Sequence, residues 1–304
     1  MRPKIVIILG ATAVGKSAVA LRLAEHVNGE IVNADSQQVY RHMDIGTGKP
    51  SKADRERVRH HLIDIVAPNE EFNAALFRRL ATDSIGQIHA RERKVIVCGG
   101  TGLYLRALTH GLFEGPGQDP DVRNALEQEI ANSSLAVLYQ RLEKIDPTVG
   151  ATIHRNDRQR IIRALEVYQL TGRPLSEWHK EHGFQEDPFD ILKIGLLRER
   201  TELYDLINLR SERMIRDGFL EEVRGLVARG FDLALKPLRS VGYRQMGQVL
   251  RGLQRVEDAL EEMKQETRHL AKRQLTWFRR DEEIHWYHPE KQRREILQSA
   301  ETFL

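Results

Sequence analysis

The sequence predicts an α/β fold, a mostly parallel sheet with helices on both faces, plus an inserted all-helical domain. Three observations carry that prediction. Apolar runs of strand length recur at 4–9, 30–34, 61–66, 94–98 and 191–197, with helix-like stretches between them, and such alternation builds parallel sheets. The first run leads straight into Gly10-Ala-Thr-Ala-Val-Gly-Lys-Ser17, a complete G-x-x-x-x-G-K-[ST] loop. Between about 116 and 190 the strand signals vanish and helical periodicity replaces them.

The run Lys4-Ile-Val-Ile-Ile-Leu9 reads as a buried strand, and Ala18 to His26 as the helix that follows the loop. In that context the backbone N–H groups of Gly10, Ala11, Thr12, Ala13, Val14 and Gly15 point at phosphate oxygens as the helix begins. Lys16 neutralises the outer phosphate, and the Ser17 hydroxyl is placed to bind Mg²⁺. This makes the fold a P-loop NTPase-like one. The loop reads two linked phosphates and is silent about what carries them. Kinases, NTPases and enzymes acting on other pyrophosphates all stay open.

Ligands of such sheets lie at the carboxyl ends of the strands. The second strand is followed by Asp35-Ser36-Gln37-Gln38, polar residues suited to acid–base or metal work, or equally to an Asx turn or helix cap. The fourth is followed by Cys98-Gly-Gly-Thr101-Gly102. ATP-hydrolysing motors normally end that strand in an acid that holds the Mg²⁺ shell and polarises water. Here stand two glycines and a neutral hydroxyl, which disfavours a water-activating ATPase. The glycines allow close approach of a ligand, or simply a tight strand-to-helix turn.

Gly115-Pro-Gly117 breaks the chain, and Asp119-Pro120 reads as an N-cap with proline at N1. Helical periodicity follows over 121–131, 135–144, 157–171 and 175–182. The predicted organisation is a core of residues 1–117 and 191–304 with a helical insertion at 118–190. From 200 onward the pattern is helical again, with Gly218 and Gly230 as stops.

Net charge is only +3, but its distribution is uneven. Residues 155–163 hold four arginines, Arg155, Arg158, Arg160 and Arg163. Residues 268–280 hold Arg268, Lys272, Arg273, Arg279 and Arg280 with no acid. On a helix these five span an arc of roughly 140° beside an apolar edge of Ala271, Leu275 and Phe278. Each cluster is either a solvated face or a polyanion-binding one. No apolar run is long enough to span a membrane, and the chain enters a strand after three residues, which leaves no room for a signal peptide. Cys98, the sole cysteine, excludes internal disulfides and cysteine-based zinc sites. The twelve histidines show no ligand spacing. A cytoplasmic protein without a membrane partner is expected.

Assembled in order, the pieces resemble the bacterial tRNA dimethylallyltransferases over nearly the whole chain. The resemblance is carried by the phosphate loop, Asp35-Ser36, Met43-Asp-Ile-Gly-Thr-Gly-Lys-Pro50, His61-Leu-Ile-Asp64 and Gly99-Gly-Thr-Gly-Leu-Tyr104. Further along it rests on Asn156-Asp-Arg-Gln-Arg160, Arg163-Ala-Leu-Glu-Val167, Val241-Gly-Tyr-Arg-Gln245 and Ala271-Lys-Arg-Gln-Leu-Thr-Trp277. It implies that the loop holds the pyrophosphate of dimethylallyl diphosphate rather than of ATP, with Mg²⁺ at Ser17. It implies Asp35 as general base at the exocyclic amine of adenosine 37 in tRNA, Thr101 beside the same reacting region, and Arg210 on the leaving pyrophosphate. For tRNA contact it implies Asp35, Ser36, Gln37, Gln38, Thr101, Arg123, Gln159, Arg160, Ile161, Ile162, Arg163, Arg239, Gly242, Tyr243, Arg244, Lys272, Arg273 and Arg279. The insertion corresponds to a domain that grips the anticodon stem-loop. A monomer with no obligate protein partner is expected. A small-molecule kinase and an RNA-binding switch without chemistry are the rival readings.

Overall fold

The computed structural model describes residues 2–113, 115–183 and 187–304. The chain runs β1 (Lys4–Gly10), α1 (Lys16–His26), β2 (Gly29–Asn33), α2 (Lys52–Arg57), β3 (His60–His61), α3 (Ala74–Ala90), β4 (Lys94–Gly99) and α4 (Gly102–His110). Five helices follow without a strand among the described residues: α5 (Pro120–Asn132), α6 (Leu135–Ile145), α7 (Pro147–Gly150), α8 (Arg158–Thr171) and α9 (Leu175–His182). The chain returns through β5 (Asp190–Leu196), α10 (Arg200–Arg216), α11 (Phe219–Ala228), α12 (Tyr243–Leu250), α13 (Val256–Phe278), β6 (Ile284–Tyr287) and α14 (Arg293–Phe303).

The six strands form one sheet in the order β3-β2-β4-β1-β5-β6, and every neighbouring pair is parallel. Side chains alternate between its faces. Ile5, Ile7 and Leu9 join Val95 and Val97 in one core, while Val6 and Ile8 join Ile96 and Cys98 in the other. Because both faces are covered, β1 is buried from Ile5 onward, which is why it reads as an unbroken apolar run.

Two strand expectations need correction. The third run, 61–66, pairs as a strand only at His60–His61. Leu62 and Asp64 adopt left-handed backbone, φ 61° and 58°, which ends the extended run, and Val66 returns only as an isolated bridge to Tyr40. Lys49 and Arg55 hold the Asp64 carboxylate at 2.5 and 2.7 Å. The C-terminal region, expected to be helical throughout, contributes the edge strand β6, paired with β5 from Lys193↔Ile284 to Leu196↔Tyr287. Lys193 pins its approach by pairing with Asp281 and Glu283 at 2.8 and 2.7 Å. Four residues are too few to announce a period of two.

Contacts divide the chain into two units, residues 1–109 with 187–304, and residues 110–186. The expected junctions lay at 117/118 and 190/191. Phe113 belongs with the helical unit because it packs near Trp178, with ring centroids 6.3 Å apart. Asp190 already pairs with Lys4 at the start of β5.

The helical unit has its own core of Leu126, Leu138, Leu142, Ile161, Ile162 and Leu165. Asp119 caps α5 by accepting from the N–H groups of Asp121 and Val122, with proline at N1. Against this core lies the carboxylate of Glu166, fully buried and held by Arg123 at 2.8 Å and Arg163 at 2.9 Å. Burial pushes its pKa up, but hydrogen bonds from Arg123, the Asp119 N–H and Arg163 outweigh that and hold it below the ordinary value. Replacing Arg163 by Glu removes one of the two guanidinium partners of a buried charge and adds a like charge beside it. We expect a loss of about 3–5 kcal/mol in the stability of this unit, read as a lower melting temperature and faster proteolysis within 110–186.

Candidate active site

The phosphate loop forms where the sequence places it. β1 ends at Gly10, and α1 begins at Lys16 behind Gly15, whose φ of 107° is open to glycine at little cost. The loop is held from several sides. Lys16 Nζ donates to the Ala11 carbonyl at 2.7 Å. Arg198 donates to the Val14 carbonyl at 3.1 Å and is fixed in turn by Glu290 at 2.7 Å. Gln274 on α13 accepts from the Thr12 N–H at 2.8 Å and donates to the Gly100 carbonyl at 2.9 Å. A Cβ at Gly100 would sit 2.6 Å from the Gln274 amide nitrogen and 3.4 Å from Lys16 Nζ. The second glycine after β4 therefore admits parts of the chain itself.

Arg210, brought in by α10, reaches the same loop. One guanidinium nitrogen donates to Thr12 Oγ1 and the other to the Thr47 carbonyl, both at 3.2 Å. Asp35 stands at the end of β2. Its Oδ1 accepts from the Gln37 N–H at 2.8 Å, which is the Asx turn, while Oδ2 takes part in no hydrogen bond among the described residues. One oxygen shapes the turn and the other is left open to a donor. The Thr101 hydroxyl accepts from the Ser36 N–H at 3.0 Å, tying the ends of β4 and β2 together. Gln37 Oε1 is buried without a hydrogen-bond partner among the described residues, an arrangement that calls for an incoming donor.

Electrostatics agree with an anion site. Burial pulls the Lys16 ammonium down to about 8, with Arg210 pushing the same way and Asp35 opposing. Burial also lowers the Arg210 pKa, again opposed by Asp35. The neighbouring Cys98 thiol is pushed up to about 12, chiefly by burial, so it stays neutral. Two cations crowded out of water need a bound anion.

The remaining predicted positions fall into distinct environments. In α8, Gln159 and Arg160 are exposed in the first turn, where Asp157 caps the helix by accepting from the Arg160 N–H. Ile161 and Ile162 are buried in the core of the helical unit, and Arg123 and Arg163 are engaged by Glu166. On α13, Ala271 and Phe278 are buried, while Lys272 and Arg273 are exposed, as are Arg279 and Arg280 just past its end. Arg268 instead bonds Asn208 at 2.8 Å. Arg239 is exposed. Gly242, at φ 93°, caps α12. Tyr243 is buried with its hydroxyl on Glu222, and Arg244 pairs with Glu262 and Glu266. Gln274, Arg198 and Thr47 were missed as site residues. Gln274 alone carried a signal, as the uncharged amide inside the basic run 272–280.

Comparisons with known proteins identify the family. The model of the IPP transferase family matches residues 38–281. The tRNA dimethylallyltransferase of Geobacter metallireducens is 50% identical over 285 residues, 94% of this chain and 92% of that protein. The tRNA dimethylallyltransferase 2 of Syntrophus aciditrophicus is 48% identical over 303 residues, covering 100% of this chain and 97% of its own. Among solved structures, the tRNA isopentenylpyrophosphate transferase of Bacillus halodurans is 39% identical with a TM-score of 0.73, over 99% of this chain and 96% of that one. A eukaryotic dimethylallyltransferase described as acting on tRNA is 29% identical with a TM-score of 0.82, over 98% of this chain and 77% of that one. The chain belongs to the IPP transferase family.

Proposed function

We propose that this protein is a tRNA dimethylallyltransferase, moving a dimethylallyl group from dimethylallyl diphosphate to the exocyclic amine of adenosine 37 and releasing pyrophosphate. The observation that carries the reading is the free oxygen of Asp35 beside a phosphate loop whose cations, Lys16 and Arg210, are half-buried and lowered in pKa by desolvation. An adenine amine is a weak nucleophile because its lone pair is delocalised into the ring. Asp35 Oδ2 accepts a hydrogen bond from that amine and takes its proton as the new C–N bond forms. Charge develops on the diphosphate as the allylic C–O bond breaks. The loop N–H groups, Lys16 and Arg210 are aimed beforehand at that charge. The target base lies in a stacked loop and is turned outward to be reached. Gln37 Oε1 supplies an acceptor for one of its N–H groups.

Mg²⁺ suits this site. The Ser17 hydroxyl is exposed and in no hydrogen bond among the described residues, a hard oxygen donor of the kind that joins diphosphate oxygens and water around Mg²⁺. When bound, the ion supplies charge compensation on the diphosphate. Among the described residues no helix is long and apolar enough to cross a membrane. A monomeric cytoplasmic enzyme is part of the proposal.

Purified protein incubated with labelled dimethylallyl diphosphate, Mg²⁺ and tRNA bearing adenosine 37 should transfer label to that base without ATP. AMP in place of tRNA should give little product. Phosphate transfer from ATP to a small molecule with no label entering tRNA would replace this reading with the kinase. Intact tRNA binding with no product in any arm would replace it with the RNA-binding switch.

Two further results are expected. Donor binding favours the charged form of Lys16, whose pKa in the free site is about 8. Affinity for dimethylallyl diphosphate should therefore change little just below pH 8 and fall above it, by up to about tenfold per pH unit. Calorimetry at pH 8.5 should register proton uptake, and Lys16→Ala should abolish that uptake. Separately, reversing exposed Arg160 to Glu, or Lys272 with Arg273, should weaken tRNA binding and flatten its dependence on log salt by about one unit for each phosphate no longer neutralised. Donor affinity should stay unchanged, and unaltered salt slopes would return both faces to plain solvated surfaces.

A further inference from the structure

The turn after β2 contains Met43-Asp-Ile-Gly-Thr-Gly-Lys49, and it is folded around a single carboxylate from another part of the chain. Glu222, on α11, places Oε2 on the N–H groups of Asp44 and Ile45 at 2.9 and 2.6 Å. Its Oε1 accepts from the Gly46 N–H at 3.2 Å and from the Tyr243 hydroxyl at 2.6 Å. Three successive backbone N–H groups converging on an anion form a nest, and each bond is strengthened by the full charge of the acceptor. The turn is also pressed against aromatic rings, since a Cβ at Gly46 would run into Phe219 and Tyr243. Its far end is fastened by Lys49, which donates to the Tyr40 carbonyl at 2.6 Å and pairs with Asp44 and Asp64.

The residue this clamp fixes next is Thr47. Its hydroxyl donates to the Met43 carbonyl at 2.6 Å. Its carbonyl accepts from Gln38 at 3.3 Å and from Arg210 at 3.2 Å. Behind it, the backbone of Gly48 lies against the guanidinium so closely that a Cβ there would overlap Arg210. The other arm of Arg210 touches Thr12 in the phosphate loop. The guanidinium is therefore aimed by two acceptors, and the one outside the loop belongs to the turn that Glu222 organises.

We propose that Glu222 is a positioning residue for Arg210. It gathers the 44–46 amides so that the Thr47 carbonyl anchors one edge of the guanidinium and leaves its remaining donors turned to the leaving pyrophosphate. The inference rests on the role assigned above to Arg210. A guanidinium presents its five donors in a rigid planar fork, so displacing one anchor rotates them all. A residue that only braced the fold would affect every step alike. One acting through Arg210 has an effect that disappears when Arg210 is altered.

The test is a double-mutant cycle of Glu222→Gln with Arg210→Lys. The amide keeps the shape but loses the charge and can no longer accept from all four donors. Single-turnover transfer at saturating donor and tRNA should fall by about 10²-fold in Glu222→Gln, the scale of a misplaced catalytic group, with tRNA affinity unchanged. On the Arg210→Lys background the same change should cost less than about threefold, since residues in one network do not act additively. The cycle is repeated on the binding of inorganic pyrophosphate, which needs no transfer chemistry and so separates this inference from the assigned reaction. There Glu222→Gln should weaken binding about tenfold, the scale of one charge-assisted hydrogen bond, and only while Arg210 is present. Tyr243→Phe removes one of the four donors and leaves the carboxylate in place. Its smaller loss should vanish on the Arg210→Lys background too, and it carries the test if Glu222→Gln does not fold. Equal losses on both backgrounds, in transfer or in pyrophosphate binding, would overturn the proposal.

Discussion

Lys16→Ala is expected to abolish prenyl transfer, by at least about 10³-fold, the upper range for removing one preorganised donor from a developing anion. Lys16 brings a full charge as well as a donor, and it brings both into a partly buried site. Its ammonium rests on the Ala11 carbonyl at 2.7 Å, inside the loop proposed to hold the diphosphate. The loop is braced independently by Gln274 at Thr12 and Arg198 at Val14, so truncating Lys16 should leave its backbone path intact. Binding of tRNA should be almost unchanged, because the exposed cations of α13 and α8 lie in other elements. Arginine is a poor substitute, since its planar fork does not reproduce the compact ammonium that sits on the Ala11 carbonyl. Single-turnover transfer with labelled donor measures the loss. A variant retaining a tenth of the normal rate would mean that leaving-group charge is carried elsewhere, with Arg210 the first place to look.

The phosphate-loop half of the candidate site was largely legible because its parts are local in sequence. A phosphate loop needs its glycines, lysine and serine within eight positions, and strand ends can be found from apolar runs. Asp35 and Thr101 were found that way. The Asx turn and the general base, two alternatives at Asp35, turn out to be compatible, because the two oxygens of one carboxylate separate the roles. What sequence could not yield were long-range pairs. The contact of Gln274 with Thr12 joins positions 262 residues apart, and that of Glu222 with Ile45 joins positions 177 apart. Glu222 is unremarkable where it stands, and Gln274 stands out only as an uncharged amide in a basic run, with nothing to name its partner. The arginines of 155–163 show the opposite limit. Composition gives them one common reading, whereas burial divides them, since Arg163 serves Glu166 and Arg160 is exposed. The edge strand β6 escaped for a similar reason: pairing with β5 creates it, and four residues of mixed polarity do not.

Asp35→Asn is expected to lower transfer by about 10²-fold or more, in line with the loss of a general base, while leaving the ground-state architecture nearly untouched. The amide is nearly isosteric, and its oxygen can still accept from the Gln37 N–H, so the Asx turn survives. What changes is the outer position. A carboxylate oxygen with no hydrogen bond becomes an amide NH₂, which cannot take a proton and presents donors to a donor amine. The consequence falls on the transition state, where the adenine nitrogen gains positive charge as the C–N bond forms. It should therefore appear in single-turnover rate at saturating donor and tRNA, with little change in either dissociation constant. The charge of Asp35 is also felt by Lys16 and Arg210, both of whose pKa values it raises. Removing it should lower the Lys16 pKa below about 8 and shift the alkaline fall in donor affinity to lower pH. A purely structural Asp35 would give neither the rate loss nor that shift, because the turn it caps is retained. Near-normal single-turnover transfer by Asp35→Asn would remove Asp35 from the proton-accepting role, and an unmoved pH profile would remove its charge from the phosphate site as well.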